Sequence, residues 1–208
     1  LGTAHAALQA EDWFGEGDVA VLYADNPLIS AQTMARLLEE RRQPDVGLAL
    51  LALRPANPGR YGRVMTAPGA VTRIVEWADA TPEEPAIDLC NAGVPYADAG
   101  HFRRWLHAVG NDNAKGEFYL TDVVDLAVAE NAHVCAVEAA EEELRGVNSR
   151  AELAQAEAAL QQRLRARAMD GGATLVAPET VFLRTDTVLA PDVVVELHVI
   201  FGPAVTVQ

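Results

Sequence analysis

Positive charge is scarce in this chain. Against 30 Asp and Glu stand 16 Lys and Arg, a formal net charge of −14. That balance argues against a nucleic-acid surface, because phosphate backbones are held by clustered Lys and Arg. Single phosphate ligands remain open, since backbone amides and a metal ion hold phosphate without net positive charge. Cysteine is nearly absent: Cys90 and Cys135 stand far apart, in no ligand spacing. They read as free thiols in a reducing compartment, not as a disulfide framework or a zinc site. No apolar run approaches the length of a membrane span, and no charged and then apolar leader opens the chain, so the expectation is a cytoplasmic protein. There is no Ser/His/Asp or Cys/His arrangement and no glycine-rich phosphate loop. His5, His101, His107, His133 and His198 fall in no metal spacing and read as structural or exposed.

What is there is ordinary globular composition, 50% hydrophobic and 22% charged over 208 residues, enough for one full core and a small second domain. Val19–Ile29 is a small and β-branched apolar run that ends in Asp25 and a proline turn. It reads as a strand over 19–24 buried on both faces, with Asp25 at its carboxyl end, where open α/β sheets bind ligands. Asp25 is there either a turn cap or the single carboxylate that holds Mg²⁺ against phosphates. A short helix is expected over 4–10, and a helix capped by Ser30 with the stripe Met34, Leu37 and Leu38. Strands are expected over 46–53, 71–76, 87–94 and 133–137, and helices over 97–106 and 122–129, the latter capped by Thr121. Strands alternating with helices argue an α/β domain with a mixed, mostly parallel sheet.

At Ser149 the pattern changes. Leu153, Ala156, Leu160 and Leu164 recur at helical spacing, and Arg163, Arg165 and Arg167 suit the negative end of a helix. This reads as a linker helix over 149–169. After Gly171-Gly172 two columns repeat every six residues, Val181, Thr187, Val193, Val199, Val205 and Leu183, Leu189, Val195, Phe201, Val207. Such a period fits the coils of a hexapeptide β-helix, here over 170–208.

Several polar or small residues interrupt strands and turns where packing does not ask for them. Glu76 ends an apolar strand, Asn91 breaks another, Gly62 sits in a turn where a ligand can approach the backbone, and Asn148 precedes the long helix. The plain readings are a solvated strand end, a loop-satisfying amide, a turn glycine and an N-cap. The acidic run 138–143 reads as a solvated face.

The order of these motifs resembles a known family. Leu1-Gly2-Thr3-Ala4-His5-Ala6, Leu22-Tyr23-Ala24-Asp25-Asn26-Pro27-Leu28-Ile29, Tyr61-Gly62-Arg63, Ile74-Val75-Glu76, Asn91-Ala92-Gly93, Gly116–Asp122 and Gly146-Val147-Asn148-Ser149-Arg150 are similar to the bifunctional bacterial N-acetylglucosamine-1-phosphate uridylyltransferases/glucosamine-1-phosphate N-acetyltransferases. The resemblance implies a Rossmann-like nucleotide-diphospho-sugar transferase domain over 1–148, a linker helix, and the start of a left-handed, trimeric β-helix. It implies UTP, N-acetylglucosamine 1-phosphate and UDP-N-acetylglucosamine as ligands, acetyl-CoA and glucosamine 1-phosphate for a second site in later coils, a homotrimer, and a role in supplying cell-wall precursors. By the same resemblance Gly2 and Thr3 contact the uracil, and Tyr23, Ala24 and Asp25 the nucleotide. Gly62, Glu76 and Asn91 contact the N-acetylglucosamine moiety, and Asp25 and Asn148 hold Mg²⁺.

The chain departs from the family's pattern in places. Ala24 stands where Gly is commoner, and Ala78 where a Lys is often found. The chain begins after the family's basic glycine-rich loop and ends before the acetyl-transfer coils. The expectation is therefore an internal segment without turnover of its own. A different sugar-1-phosphate nucleotidyltransferase, or a noncatalytic trimer-forming or regulatory chain of the same fold, are the alternatives.

Overall fold

The computed structural model describes residues 1–208, the side chain of Pro85 excepted. It divides into two compact units, Leu1–Arg145 and Gly146–Gln208.

The first unit runs α1 (Thr3–Leu8), β1 (Asp18–Ala20), α2 (Ala31–Arg41), β2 (Val46–Leu53), β3 (Arg63–Ala67), β4 (Ala70–Val75), β5 (Cys90–Asp98), α3 (Ala99–Ala108), α4 (Asp122–Ala129), β6 (His133–Glu138) and α5 (Glu141–Leu144). The strands form one sheet in the order β4-β3-β5-β2-β6, with β1 on β5. The sheet is mixed, as expected, but its parallel share is small. β2–β6 is parallel, whereas β3–β4 is a hairpin and β5 runs against β1, β2 and β3.

The apolar run of β2 reflects cover on both faces. Leu48, Leu50 and Ala52 pack with α1, α3 and α4 through Ala4, Phe102, Trp105 and Val123, whereas Ala49, Leu51 and Leu53 pack with Leu37 of α2 and Leu144 of α5. Alternate side chains of a strand point to opposite faces, so one run serves two cores.

The stretch 19–24 is not a doubly buried strand. β1 covers three residues, pairs only with β5 among the described strands, and leaves Leu22 52% exposed. The ladder ends at Ala20, and the chain then leaves the sheet to turn at Ala24-Asp25. β5 extends past the expected 87–94 to Asp98, whose carboxylate caps α3 by accepting from the His101 N–H at 2.9 Å.

In the second unit, α6 (Arg150–Asp170) is capped by Ser149, whose hydroxyl accepts from the Glu152 N–H at 3.2 Å; Asn148 is not the cap. β7 (Thr174–Leu175), β8 (Val188–Leu189), β9 (Val194–Val195) and β10 (Thr206–Val207) pair in parallel: Thr174 with Val194, Val188 with Thr206, and Phe182 bridges Ile200. The chain thus returns to its own rung after 18 or 20 residues. All ten residues of the two six-residue columns are buried or half-buried, and Val176, Phe182, Val188, Val194 and Ile200 between them are exposed. Asp192, His198 and Ala204, again six apart, take φ near +60°. A non-glycine residue is rarely left-handed, so three at one interval mark repeated corners.

Candidate functional site

The residues singled out in the first unit meet through one circuit of contacts. Gly2 lies so close to the backbone of Phe118 that a Cβ would fall 2.4 Å from its carbonyl oxygen. The Ala4 N–H donates to that oxygen at 3.0 Å, and the Thr3 hydroxyl accepts from the Leu120 N–H at 2.9 Å. Helix α1 is thereby pinned to the segment entering α4. One residue further, the Thr121 hydroxyl donates to Glu76 Oε1 at 3.0 Å. Glu76 Oε1 is in turn 3.6 Å from where a Gly62 Cβ would stand. The Gly62 carbonyl accepts from the Asn91 N–H at 2.9 Å, and Asn91 Oδ1 accepts from the Gly93 N–H at 3.0 Å. Gly93 has φ +78°, and any Cβ there would sit 2.2 Å from Tyr23 Cε2, so the ring of Tyr23 lies on bare backbone. Tyr23, Asn91, Gly93, Leu120 and Thr121 border one cleft.

The loop carrying Gly62 is held by a buried charge. Arg63 is 2% exposed, and its guanidinium donates to the carbonyls of Gly59 (3.1 Å) and Tyr61 beneath the ring of Trp77, 5.3 Å away. A fully buried guanidinium is tolerated only where its N–H groups are satisfied, so this loop has little freedom to move.

Carboxylates cluster around the circuit rather than in the cleft lining. Burial pushes the Tyr23 phenol up, and Glu76 and Asp25 add to the shift. Burial, then the carboxylates of Asp125, Glu76 and Asp79, push Asp122 up to about 6. The Tyr119 hydroxyl is buried, and burial and then the neighbouring Asp79 raise its pKa.

Gly2, Thr3, Tyr23, Gly62, Glu76 and Asn91 are therefore brought together. Ala24 and Asp25 follow Tyr23 in an exposed turn. Asn148 belongs to the second unit, where its N–H donates to the Glu152 carboxylate at 2.7 Å. Among the described residues no group of three His, Cys, Asp or Glu is placed to hold a metal. Asp25 alone still offers the hard oxygen donor that suits a Mg²⁺ otherwise ligated by phosphates and water.

Sequence reasoning missed two members of the circuit. Thr121 reads as an N-cap, but it has φ −64° and ψ −26° and makes no capping bond; helical torsions aim its hydroxyl at Glu76. Gly93 carried no signal beyond its place two residues after Asn91. The acidic run is also more than a solvated face. Glu138 pairs with Arg54, Glu141 accepts from the Ala56 N–H at 3.1 Å, and Glu143 binds Thr33.

No family model matches the chain. Among curated proteins it is 68% identical over 195 residues to the bifunctional protein GlmU of Gluconacetobacter diazotrophicus, covering 92% of this chain and 42% of that protein. It is 62% identical over 208 residues to the same-named protein of Gluconobacter oxydans, covering 100% and 46%. The chain is a relative of the bifunctional GlmU proteins. It spans under half the length of these relatives. Solved structures share its α/β fold. One is a UDP-glucose pyrophosphorylase complexed with UDP-glucose (TM-score 0.54, 18% identity, 66% of this chain and 53% of that one). Another is described as a glucose-1-phosphate thymidylyltransferase from Bacillus anthracis in complex with sucrose (TM-score 0.56, 21% identity, 74% and 59%). At these identities the likeness concerns fold alone.

Proposed function

We propose that residues 1–148 contribute the sugar-nucleotide site of a uridylyltransferase. It would join UTP to N-acetylglucosamine 1-phosphate, giving UDP-N-acetylglucosamine and pyrophosphate, in a protein that also acetylates glucosamine 1-phosphate from acetyl-CoA. The observation that carries this reading is the circuit from Thr3 through Glu76, Gly62 and Asn91 to Tyr23, which joins separate stretches of chain, with Tyr23, Asn91 and Thr121 bordering a cleft.

In the reaction, an oxygen of the sugar phosphate attacks the α-phosphorus of UTP in line. The new P–O bond forms as the bond to the bridging oxygen of pyrophosphate breaks, and pyrophosphate leaves with that electron pair. Glu76 and Asn91 orient the sugar by accepting from its hydroxyl and amide N–H groups. The bare backbone at Gly62 and Gly93 lets the ligand come close, and Tyr23 flanks the nucleotide beside Gly2 and Thr3. Asp25 would hold a Mg²⁺, which would neutralise charge developing on the phosphates.

Residues 149–169 serve in this reading as the linker, and 170–208 as the first coils of a left-handed acetyltransferase β-helix in a homotrimer. The parallel rungs 18 or 20 residues apart support the coil, and the exposed apolar column supports burial against a second copy. A cytoplasmic location fits nucleotide substrates; no described helix is long and apolar enough to cross a membrane.

Calorimetric titration of the chain with UDP-N-acetylglucosamine and UDP-glucose, each with Mg²⁺, tests the assignment. Saturable binding that favours the acetylated sugar by about tenfold is expected. Tighter binding of UDP-glucose would transfer the site to another sugar-1-phosphate nucleotidyltransferase. No binding of either at millimolar concentration would favour a noncatalytic chain.

A further inference from the structure

The turn that carries Asp25 is stapled from the far end of the first unit. Asn26 Nδ2 donates to the carbonyl of Leu144 at 2.7 Å, 118 residues on. The neighbouring Glu143 accepts from the same segment. Its Oε2 accepts from the Thr33 hydroxyl at 2.6 Å and from the Ser30 N–H at 3.2 Å. Two consecutive residues, Glu143 and Leu144, thus grip both ends of the segment 26–33. Helix α2 does not need them as its cap, because the Ser30 hydroxyl already accepts from the Thr33 N–H at 3.1 Å. The contact is sheltered, with Leu28 and Leu144 at 7% and 1% exposure. A hydrogen bond kept from water is stronger than one in solvent.

Asp25 itself is exposed, and its carboxylate makes no hydrogen bond among the described residues. A lone carboxylate on a turn is held only as firmly as the turn. The turn's own bond is Asn26 N–H to the Tyr23 carbonyl, at 3.2 Å.

We propose that Asn26 and Glu143 are positioning residues. They fix the turn that carries Asp25 to residues 143–144, so that this carboxylate is held in place for the metal by one staple. The proposal rests on the reading of Asp25 as a Mg²⁺ ligand. It predicts a coupling between the staple and the metal, separate from the grip on the sugar.

Asn26→Ala, Glu143→Ala and Glu143→Gln test it on the full chain by two readouts. In hydrogen exchange, both alanine variants should speed the amides of residues 24–33 about tenfold, while β2 and β5 keep their protection and show the unit still folded. In titrations with UDP-N-acetylglucosamine, the Mg²⁺ concentration at half-effect should rise about tenfold, with metal-free affinity unchanged. Glu143→Gln keeps an accepting oxygen and should recover most of both effects. A merely structural role would weaken metal-free and metal-assisted binding alike. Unchanged exchange at 24–33 overturns the staple whether or not any ligand binds. Faster exchange with an unmoved Mg²⁺ midpoint overturns its positioning role. Failure of the unaltered chain to bind with Mg²⁺ overturns the functional reading instead.

Discussion

The two units bury apolar residues in opposite ways. In Leu1–Arg145 a single strand, β2, feeds two cores, and helices cover both faces of the sheet. In Gly146–Gln208 one cluster, Leu164, Leu175, Val181, Leu183 and Val195, makes the core, while Val176, Phe182, Val188, Val194 and Ile200 stay exposed at the same six-residue interval. A layered domain closes its core by wrapping helices around a sheet. A stack of coils closes only against further coils or copies. The same apolar content therefore gives a self-contained body in one region and an open one in the other.

The largest effect should expose this difference. Leu51 and Leu183 are both buried, at 0% and 4%, and truncation of either to alanine should cost about 3 kcal/mol. Leu183→Ala should abolish exchange protection across Thr174–Val195 and leave β2 untouched. Leu51→Ala should lower the denaturation midpoint of the first unit without unfolding it. Equal losses of protection in both units would contradict their independence.

A smaller effect is expected at Gly93. Gly93→Ala places a methyl against the Tyr23 ring on a left-handed backbone, which should cost about 2 kcal/mol. Denaturant unfolding should show that loss, and binding of UDP-N-acetylglucosamine should fall as Tyr23 is displaced. Retained affinity would remove Tyr23 from the site.

The smallest effect concerns acidity. Asp122 has its pKa raised to about 6 from 3.8, chiefly by burial. The folded state therefore prefers the protonated acid. Its contribution is fully present below pH 3.8 and is lost as pH rises through about 6. Asp122→Asn, which stays neutral, should stabilise the first unit by about 1 kcal/mol at pH 7, the shift being discounted for its half-exposed position. The gain should vanish near pH 3.5 in paired urea titrations, as follows from the same linkage. An equal gain at both pH values would show that charge is not its cause.

Much of this was legible in the sequence, and the exceptions share a cause. β2 and α4 have the expected bounds, 46–53 and 122–129, because a continuous apolar run and a helical stripe each have one reading. β5 was cut short at residue 94 because Pro95 looks like a strand end. In the sheet its carbonyl still accepts from the Val21 N–H, at 3.1 Å. The run 19–24 misled because apolar content does not reveal where a strand leaves the sheet, here after Ala20. Glu76, Asn91 and Gly62 stood out as interruptions of pattern. Thr121 and Glu143 did not, because a threonine before a helix and an acid in an acidic run already have local explanations. Their partners, Glu76 and Thr33, are 45 and 110 residues away, a distance no local rule spans. The corners at Asp192, His198 and Ala204 were silent, since none is glycine.

Residue-resolved NMR of the chain, titrated with UDP-N-acetylglucosamine and Mg²⁺, tests the central claim most directly. The account predicts saturable shifts at Thr3, Tyr23, Gly62, Glu76, Asn91 and Thr121 with one common affinity, and amides of residues 174–207 that stay in place. Shifts confined to other surfaces, or different affinities at Thr3 and Asn91, would contradict a single site built by this circuit.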